Sequence, residues 1–235
     1  MKKPADLINK LKPITDVYMP KQKYDVAIQE LLKLKERFSQ YHVVDYYLGI
    51  CNINLNAFEE GVHYLGNISN SQQLSIVQMV QTNMILGLIY TELGEYKNAE
   101  EYFQSAIKIN PRSSMCHSAL GYVYYLQKRY DHAISNFKKA LQLDPNNASA
   151  HNNLGYTYAE INININEAVM ECRKAIALNP SSAAYYDSLG WAYYASGQFG
   201  EAVKQLQKAL ELSPRNITIQ EHLSKAIKKR DRSRQ

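Results

Sequence analysis

A spacing of 34 or 35 residues recurs through most of the chain and constrains its fold more than any other feature. Four glycines and four prolines keep this spacing: Gly87, Gly121, Gly155 and Gly190, then Pro111, Pro145, Pro180 and Pro214. A chain with such a period is expected to fold as a series of similar units, each of which buries its apolar face against its neighbours.

Repeats that start at residues 80, 114, 148 and 183 carry the same residue at six positions in all four copies. These are Leu at position 7, Gly at 8, Tyr at 11, Ala at 20 and 27, and Pro at 32, once one extra residue is allowed in the segment INININEA. The Leu, Gly and Tyr positions share one helical face, and a proline cannot continue a helix. Each repeat is therefore expected to hold two helices, the second of which ends before the proline.

This pattern resembles that of the tetratricopeptide repeat family. The resemblance implies antiparallel helix pairs that form an all-α, right-handed superhelical solenoid, with about six pairs and a C-terminal capping helix. Two degenerate repeats precede the four clear ones, because Leu48 and Gly49, and also Tyr18 and Ala27, fall at repeat positions. We expect a single solenoid over residues 1–235, divided into repeats at 8–41, 42–79, 80–113, 114–147, 148–182 and 183–216, followed by a capping helix and basic tail at 217–235.

One side of each first helix is predicted to bind a partner. At 100° per residue, positions 2, 5, 9, 12 and 13 lie roughly opposite positions 4, 7, 8 and 11. In the family that the chain resembles, the former set lines a concave ligand groove. Trp191, the only tryptophan, stands at position 9 and is expected to face this groove. The candidate partner-binding residues are Leu88, Glu92, Ser118, Tyr122, Tyr125, Asn152, Tyr156, Glu160, Asp187, Trp191 and Tyr194.

The residue types in this set indicate the kind of ligand. Aromatic side chains give a large contact area at a low cost in conformational entropy, and Asn152 offers an amide to a ligand backbone. The carboxylates of Glu92, Glu160 and Asp187 favour an apolar or mildly basic peptide, or a partner helix. An alternative is that the aromatic residues at position 9 only pack against neighbouring first helices and stabilise the stack.

A well-known ligand mode of the resembled family is a clamp for the carboxylates of a C-terminal chaperone peptide. This clamp needs lysine, asparagine and arginine at set positions of successive repeats. In the last four repeats no basic residue stands there, and the positions hold residues such as Met84, Leu88, Ala119, Ser149, Asn153, Ala184 and Ser188. The chain is therefore not expected to bind a chaperone tail in this way.

The sequence contains none of the common nucleotide-binding or metalloprotease motifs, so neither an enzyme nor a cofactor is expected. His117 and His151 fall at position 4 of adjacent repeats and are interpreted as core residues, because ligands spaced one per repeat do not converge on one metal ion. Cys51, Cys116 and Cys172 lie far apart and are odd in number, which is typical of reduced thiols.

The net charge of +5 is concentrated in residues 225–235, KAIKKRDRSRQ, and the rest of the chain is neutral. We interpret this tail as a solvated helix end whose cations complement the negative helix terminus. An alternative is an electrostatic contact with an anionic membrane or with nucleic acid. Nucleic acid is the less expected partner, since no aromatic residues alternate with these charges.

Together these features predict a non-catalytic adaptor or scaffold that binds a peptide or helix of another protein in an aromatic concave groove. An alternative is a self-assembling scaffold, a homo-oligomer whose groove holds its own or a neighbour's N-terminal helices. No stretch is apolar enough to span a membrane, and no apolar run follows the basic start. A cytoplasmic location is therefore expected, although a shortened chain could have lost a leader.

Overall fold

The computed structural model describes residues 5–233, and every regular element in that range is helical. The all-α fold expected from the sequence is thereby confirmed. A short π-helical segment, Ile14–Tyr18, continues the first helix. The α-helices are α1 Ala5–Pro13, α2 Tyr24–Arg37, α3 His42–Asn54, α4 Phe58–Gly66, α5 Ile76–Glu92, α6 Tyr96–Ile109, α7 Ser114–Leu126, α8 Tyr130–Leu143, α9 Ala148–Glu160, α10 Ile165–Leu178, α11 Ala183–Ala195, α12 Phe199–Leu212 and α13 Ile217–Arg232.

The helices form two compact units. Unit 1 spans Met1–Pro111 and unit 2 spans Arg112–Gln235, and residues 1–4 and 234–235 at their outer ends lie outside the described range. The last two residues of the basic tail are thus not described, whereas α13 continues as a helix to Arg232. Within residues 5–233, no helix is both long enough and apolar enough to cross a membrane.

The turn between the two helices of each pair contains a residue with a left-handed backbone. This residue stands at position 15 in every repeat, including the two degenerate ones, with φ between +55° and +75°: Gln22, Asn56, Gly94, Lys128, Asn162 and Gly197. The repeat with the extra residue has a second left-handed residue, Asn164, directly before α10. Asparagine tolerates this conformation better than most residues, which explains how the insertion is accommodated.

Close packing within each pair depends on the glycine at position 8. A Cβ atom on Gly121 would lie 2.7 Å from the ring of Phe137, and one on Gly190 would lie 2.5 Å from the side chain of Leu206. At Gly155 it would lie 2.8 Å from the carbonyl oxygen of Ala168, so the backbone itself is in the way. These glycines recur because the first and second helices cross at backbone contact distance.

The recurring prolines mark where the second helix of each of the last four pairs ends. The second helices α6, α8, α10 and α12 are each 14 residues long and end two residues before a proline. In three cases the helix after the proline begins with a side-chain cap. Ser113 Oγ accepts from the backbone N–H of Cys116 at 3.3 Å, Asn147 Oδ1 from that of Ala150 at 2.9 Å, and Asn216 Oδ1 from that of Ile219 at 3.1 Å. Such caps satisfy N–H groups that have no partner inside the helix.

The N-terminal helices are part of the core of unit 1. Leu7, Leu11 and Ile14 are buried in one cluster with Leu31 and Val44 of the next helices. Burial of several large apolar side chains, each worth about 2 kcal/mol, fixes these helices to the unit. The described part of the N-terminal segment is therefore held inside its own unit.

The last helix packs onto the preceding pair in unit 2. Ile219, His222 and Ala226 of α13 are buried, and α13 contacts both α11 and α12. The opposite side of α13 carries exposed charges such as Lys225 and Lys228. This amphipathic arrangement covers the apolar face that the final helix pair would otherwise expose.

Candidate functional site

A hollow in unit 2 collects many of the predicted binding residues. Its volume is about 350 Å³, and α7, α9 and α11 line it. We call it the aromatic hollow, and its lining residues are Tyr122, Tyr125, Asn152, Asn153, Tyr156, Thr157, Ala184, Asp187 and Ser188. Five of these, Tyr122, Tyr125, Asn152, Tyr156 and Asp187, are in the set expected from the sequence, and they come from three successive first helices.

Three tyrosine rings make up the aromatic part of this surface. Tyr122 and Tyr125 are one helical turn apart on α7 and their rings lie nearly parallel, with centroids 6.3 Å apart. The ring of Tyr156 on α9 meets that of Tyr125 edge-on at 5.9 Å. Tyr122 is 41% exposed, so part of the cluster is open to a ligand. Pairs in these geometries pack favourably and leave ring faces available.

Carboxylates give the hollow a negative potential. Burial raises the pKa of Tyr125 to about 12, and the nearby Glu160 adds to the shift. Burial also raises the pKa of Tyr156, with further contributions from Tyr125, Glu160 and Asp187. Both phenols are therefore neutral at physiological pH, and the charges that act on them are negative. Among the described residues, no lysine or arginine lines the aromatic hollow.

Asn152 holds an unsatisfied acceptor at the hollow. Its Nδ2 donates to Asn153 Oδ1 at 3.3 Å, while its own Oδ1 is buried and has no hydrogen-bond partner. A buried polar atom without a partner costs about 1–3 kcal/mol.

Trp191 is surrounded at one end of unit 2 rather than projecting freely. Its indole N–H donates to Glu160 Oε2 at 3.0 Å, and its ring stacks on Tyr194 with centroids 4.9 Å apart. His222 of α13 also stacks on it at 4.3 Å, and Lys225 Nζ lies 5.4 Å from the ring centroid. Trp191 is accordingly only partly exposed. It belongs to a cluster that joins α9, α11 and α13.

A hydrogen-bonding contact between His222 and Asp187 connects this cluster to the aromatic hollow. His222 Nδ1 lies 2.9 Å from Asp187 Oδ1 and 3.2 Å from Oδ2, and the two side chains are 8% and 13% exposed. Asp187 also lines the hollow. A single carboxylate therefore faces both the docked α13 helix and the open hollow.

The remaining predicted residues are placed differently. Ser118 is 5% exposed and does not line the aromatic hollow, and Glu160 is exposed beside Trp191. Leu88 and Glu92 belong to unit 1, where they line a separate, apolar hollow. The aromatic hollow thus contains part of the expected set, and unit 1 contains another part.

Sequence reasoning missed several contributors. Asn153 and Ser188 stand at position 6 of their repeats, and Ala184 stands at position 2, so following the same two positions through the repeats would have found them. His222 also falls at position 6 when the repeat frame is continued at residue 217. In the sequence, Asn153, Ala184 and Ser188 stand out only as clamp positions without a basic residue, and this is why the candidate set left them out.

His151 and the three cysteines are packed in the interior, whereas His117, also expected in the core, is only partly buried. His151 is 6% exposed, with Nε2 2.9 Å from the carbonyl oxygen of Pro145 and Nδ1 against the carboxylate of Glu171. All three cysteines are buried and unpaired, and burial raises the pKa of the Cys51 thiol to about 11. Among residues 5–233 there is no group of three or more metal-ligating side chains.

Comparisons with known proteins agree with the fold. The sequence matches four family profiles described as TPR repeat or tetratricopeptide repeat, at residues 84–113, 121–162, 148–182 and 183–216. A comparison with curated protein sequences gives no significant match.

Solved structures of the same architecture resemble the chain over most of its length. The Cut9–Hcn1 hetero-tetramer of the APC/C matches 89% of the chain with a TM-score of 0.73 and 19% identity, although the chain spans only 40% of that protein. YrrB matches 81% of the chain and 96% of its own length, with a TM-score of 0.60 and 17% identity. MamA matches 71% of the chain and 95% of its own length, with a TM-score of 0.58 and 24% identity.

The similar structures establish the fold, and the profile matches establish the family of the repeats. The matches cover most of the segment between residues 84 and 216, where the glycines and prolines keep their spacing. The chain belongs to the tetratricopeptide repeat family.

Proposed function

We propose that this chain is a non-catalytic adaptor that binds a peptide or a helix of a partner protein in the aromatic hollow of unit 2. Proteins with tetratricopeptide repeats are typically protein-interaction modules without catalytic activity. One of the similar structures, YrrB, is described as having an unusual peptide-binding site. The proposal for this chain rests on its own residues, because a sequence identity of 17% to YrrB is too low to infer that the two proteins bind the same ligand.

The convergence of three tyrosines on one hollow is the observation that carries this proposal. Tyr122, Tyr125 and Tyr156 come from two successive first helices, and Asn152 and Asp187 add polar groups beside them. A concave surface with rigid aromatic side chains and a few convergent polar groups is typical of peptide recognition. A purely structural role for these tyrosines would not require that Tyr122 remain 41% exposed.

The charges at the hollow favour an apolar or mildly basic ligand. Asp187 and Glu160 place negative charge next to the neutral tyrosine rings, and ring faces attract cations. The chain itself shows this contact at Trp191, where Lys225 Nζ lies 5.4 Å from the ring centroid. A lysine or arginine of the partner would be accommodated in the same manner.

The self-assembling scaffold is the second candidate, and the packing of unit 1 does not favour its intramolecular form. Leu7, Leu11 and Ile14 of the N-terminal helices are buried in the core of unit 1. Those side chains would have to leave that core before the same helices could occupy a groove. The same burial counts against the N-terminal helices of a neighbouring molecule, because they too would have to leave their own core.

The proposal is tested by selecting ligands for the full chain and mapping where they bind. A displayed library of 15-residue peptides is selected on the protein, and enriched peptides are labelled with fluorescein for anisotropy titrations. We expect Tyr156→Ala to weaken the enriched basic peptides about tenfold, equivalent to about 1.4 kcal/mol. The matched control is Tyr96→Ala on α6 of unit 1, which is expected to leave the affinity unchanged.

Two further results decide between the candidates. Equal affinities of the wild-type and Tyr156→Ala proteins for all enriched peptides would contradict binding at the aromatic hollow. Sedimentation velocity at several concentrations tests self-assembly, because a neighbour in the groove predicts a mass that rises with concentration and is reduced by Tyr156→Ala.

A further inference from the structure

A second concave surface lies in unit 1, where α4 is unusually short. α4 spans only nine residues, Phe58–Gly66, whereas α6 spans 14. The segment 67–75 that follows contains no helix, and α5 begins at Ile76 after the capping box of Ser75 and Gln78. Phe58, the first residue of α4, borders this surface together with the C-terminal half of α5.

The C-terminal half of α5 forms one wall of an apolar hollow. Its volume is about 440 Å³, and its lining residues are Ile53, Phe58, Ile85, Leu88, Ile89, Glu92 and Leu93. Three of these are large apolar side chains with high exposure: Phe58 at 48%, Leu88 at 51% and Leu93 at 64%. Scattered apolar residues are common on protein surfaces, but a contiguous set around a hollow marks an interaction site.

Acidic residues border this apolar hollow. A second hollow of about 670 Å³ shares Phe58, Ile89 and Leu93 with it and is also lined by Glu59 and Glu60. Glu92 belongs to the first hollow, and all three carboxylates are exposed. Among residues 5–233, no lysine or arginine lines either hollow, and none forms an ion pair with these carboxylates. The rim therefore has uncompensated negative charge.

The apolar residues of α5 have the spacing that helices use to pack against one another. Ile85, Leu88, Ile89 and Glu92 stand at i, i+3, i+4 and i+7 and line the same hollow. Side chains at this spacing form ridges that fit the grooves of a second helix. A helix with apolar anchors at the same spacing would fill the hollow and cover Leu88 and Leu93.

We propose that the apolar hollow of unit 1 is a docking site for an amphipathic helix of another protein, with lysine or arginine residues beside its apolar stripe. The apolar stripe packs on Phe58, Leu88 and Leu93. The flanking cations face Glu59, Glu60 and Glu92, which have no other ionic partner in the described chain. This site is separate from the aromatic hollow and does not depend on it.

The basic amphipathic helix of this chain does not supply the ligand. α13 has the right composition, but its apolar residues Ile219 and Ala226 are 2% and 0% exposed in unit 2. A second copy could donate that helix only by unpacking it from α11 and α12. A helix of a different protein fills the hollow without that cost.

The test compares the peptides that bind the wild-type chain with those that bind a variant in which the apolar hollow is disrupted. A displayed library of 18-residue peptides is selected in parallel on the full chain and on its Leu88→Asp variant. Peptides enriched only on the wild-type chain are expected to carry apolar residues at i, i+3, i+4 and i+7 and a net positive charge. Anisotropy titrations with such a labelled peptide are expected to show that Leu88→Asp weakens binding about tenfold or more.

Charge and location are tested with three further variants. The triple variant Glu59→Gln, Glu60→Gln and Glu92→Gln is expected to weaken the same peptide about threefold at low salt, with little effect at high salt. Met170→Asp, a matched change at a 53% exposed apolar residue of unit 2, is expected to leave the affinity unchanged. Tyr156→Ala is also expected to leave it unchanged, so failure of one site is distinguishable from failure of the other.

Three outcomes would overturn the proposal. One is the absence of any peptide whose enrichment depends on Leu88. Another is a set of Leu88-dependent peptides that lacks a helical period or carries net negative charge. The third is a wild-type dimer in sedimentation velocity that becomes monomeric with Leu88→Asp, which would make a second copy the occupant. Because Leu88 is exposed, its substitution is expected to preserve the thermal melting temperature, and circular dichroism checks this.

Discussion

The imidazole of His222 stacks on the indole of Trp191, with ring centroids 4.3 Å apart and 22° between the ring planes. The same imidazole is 2.9 Å from Asp187, which lines the aromatic hollow. The contact links the last helix of the chain to the surface that we propose as the ligand site. Since Trp191 is the only tryptophan, all tryptophan emission of the protein comes from the cluster that contains this contact.

Removal of the His222 ring is expected to expose the indole. In His222→Ala, the emission of Trp191 should shift to longer wavelength and be quenched more strongly by iodide, because one stacked neighbour is lost. The free energy of unfolding should fall by about 2 kcal/mol, since the ring contact and a buried hydrogen bond are both removed. Glu221→Ala, at the exposed neighbouring residue, is the control, and an unchanged emission spectrum in His222→Ala would contradict the arrangement.

Alanine substitutions at three glycines are expected to have graded effects on stability. Gly155→Ala should be the most destabilising, by about 3 kcal/mol, because the new Cβ meets the backbone oxygen of Ala168 at 2.8 Å. Gly190→Ala should cost less, about 1–2 kcal/mol, because the nearest atoms belong to the flexible side chain of Leu206. Gly200→Ala should stabilise by about 0.5–1 kcal/mol, since it lies in α12 with no atom near the added Cβ.

Chemical denaturation of the three variants measures this order. Fitting the urea midpoints with a common slope gives the differences in the free energy of unfolding. If Gly155→Ala and Gly200→Ala had equal stability, the close approach of the two backbones in this repeat would be wrong.

The left-handed residue at position 15 predicts a stabilising substitution. Lys128 has φ of +60°, where a Cβ atom is unfavourable, while Gly94 and Gly197 occupy the same position with φ of +75°. Lys128→Gly should therefore stabilise unit 2 by about 0.5–1 kcal/mol, and Gly197→Lys should destabilise it by a similar amount. Thermal and urea unfolding of both variants measure these changes in stability. A loss of stability in Lys128→Gly would show that backbone strain at residue 128 is not the dominant effect of the substitution.

The buried pair of His151 and Glu171 predicts a dependence of stability on pH. Burial alone would raise the pKa of Glu171, but hydrogen bonds from Lys174 and His151 outweigh it and hold the pKa below its ordinary value of 4.5. A carboxyl whose pKa is lowered by folding stabilises the protein above its unfolded pKa. That contribution is lost as the pH falls through the folded pKa.

Replacement of Glu171 should therefore flatten the acid side of the stability profile. Glu171→Gln is expected to lower the free energy of unfolding at pH 7 by about 2 kcal/mol and to reduce the loss of stability between pH 5 and pH 3. Glu201→Gln, at an exposed residue, is the control and should leave the profile unchanged. Parallel pH profiles for wild type and Glu171→Gln would rule out this pair as a source of acid sensitivity.

The repeated residues alone specified the helix pairs. Leucine, glycine and tyrosine at fixed spacing define the packed face, and a proline ends the second helix because it lacks an N–H and clashes with the preceding turn. These are local properties, so four helix pairs and the family were predictable from sequence. The division of the chain into six repeats stays a proposal, to which the common left-handed turn at Gln22 and Asn56 gives support.

The candidate sites needed more than the repeat pattern. Position in the repeat suggested which side of a helix Tyr122 and Tyr156 occupy, but only the packed helices showed that they share a hollow with Asp187. Sequence gave no sign that His222 stacks on Trp191, because that contact joins helices whose register depends on how α13 packs. The hollow beside Leu88 likewise joins side chains of α3, α4 and α5, and the repeat pattern alone did not predict that they border one hollow. Periodicity determined the helix pairs of this protein, whereas the open and the covered surfaces were decided by tertiary packing, because burial depends on side chains distant in sequence.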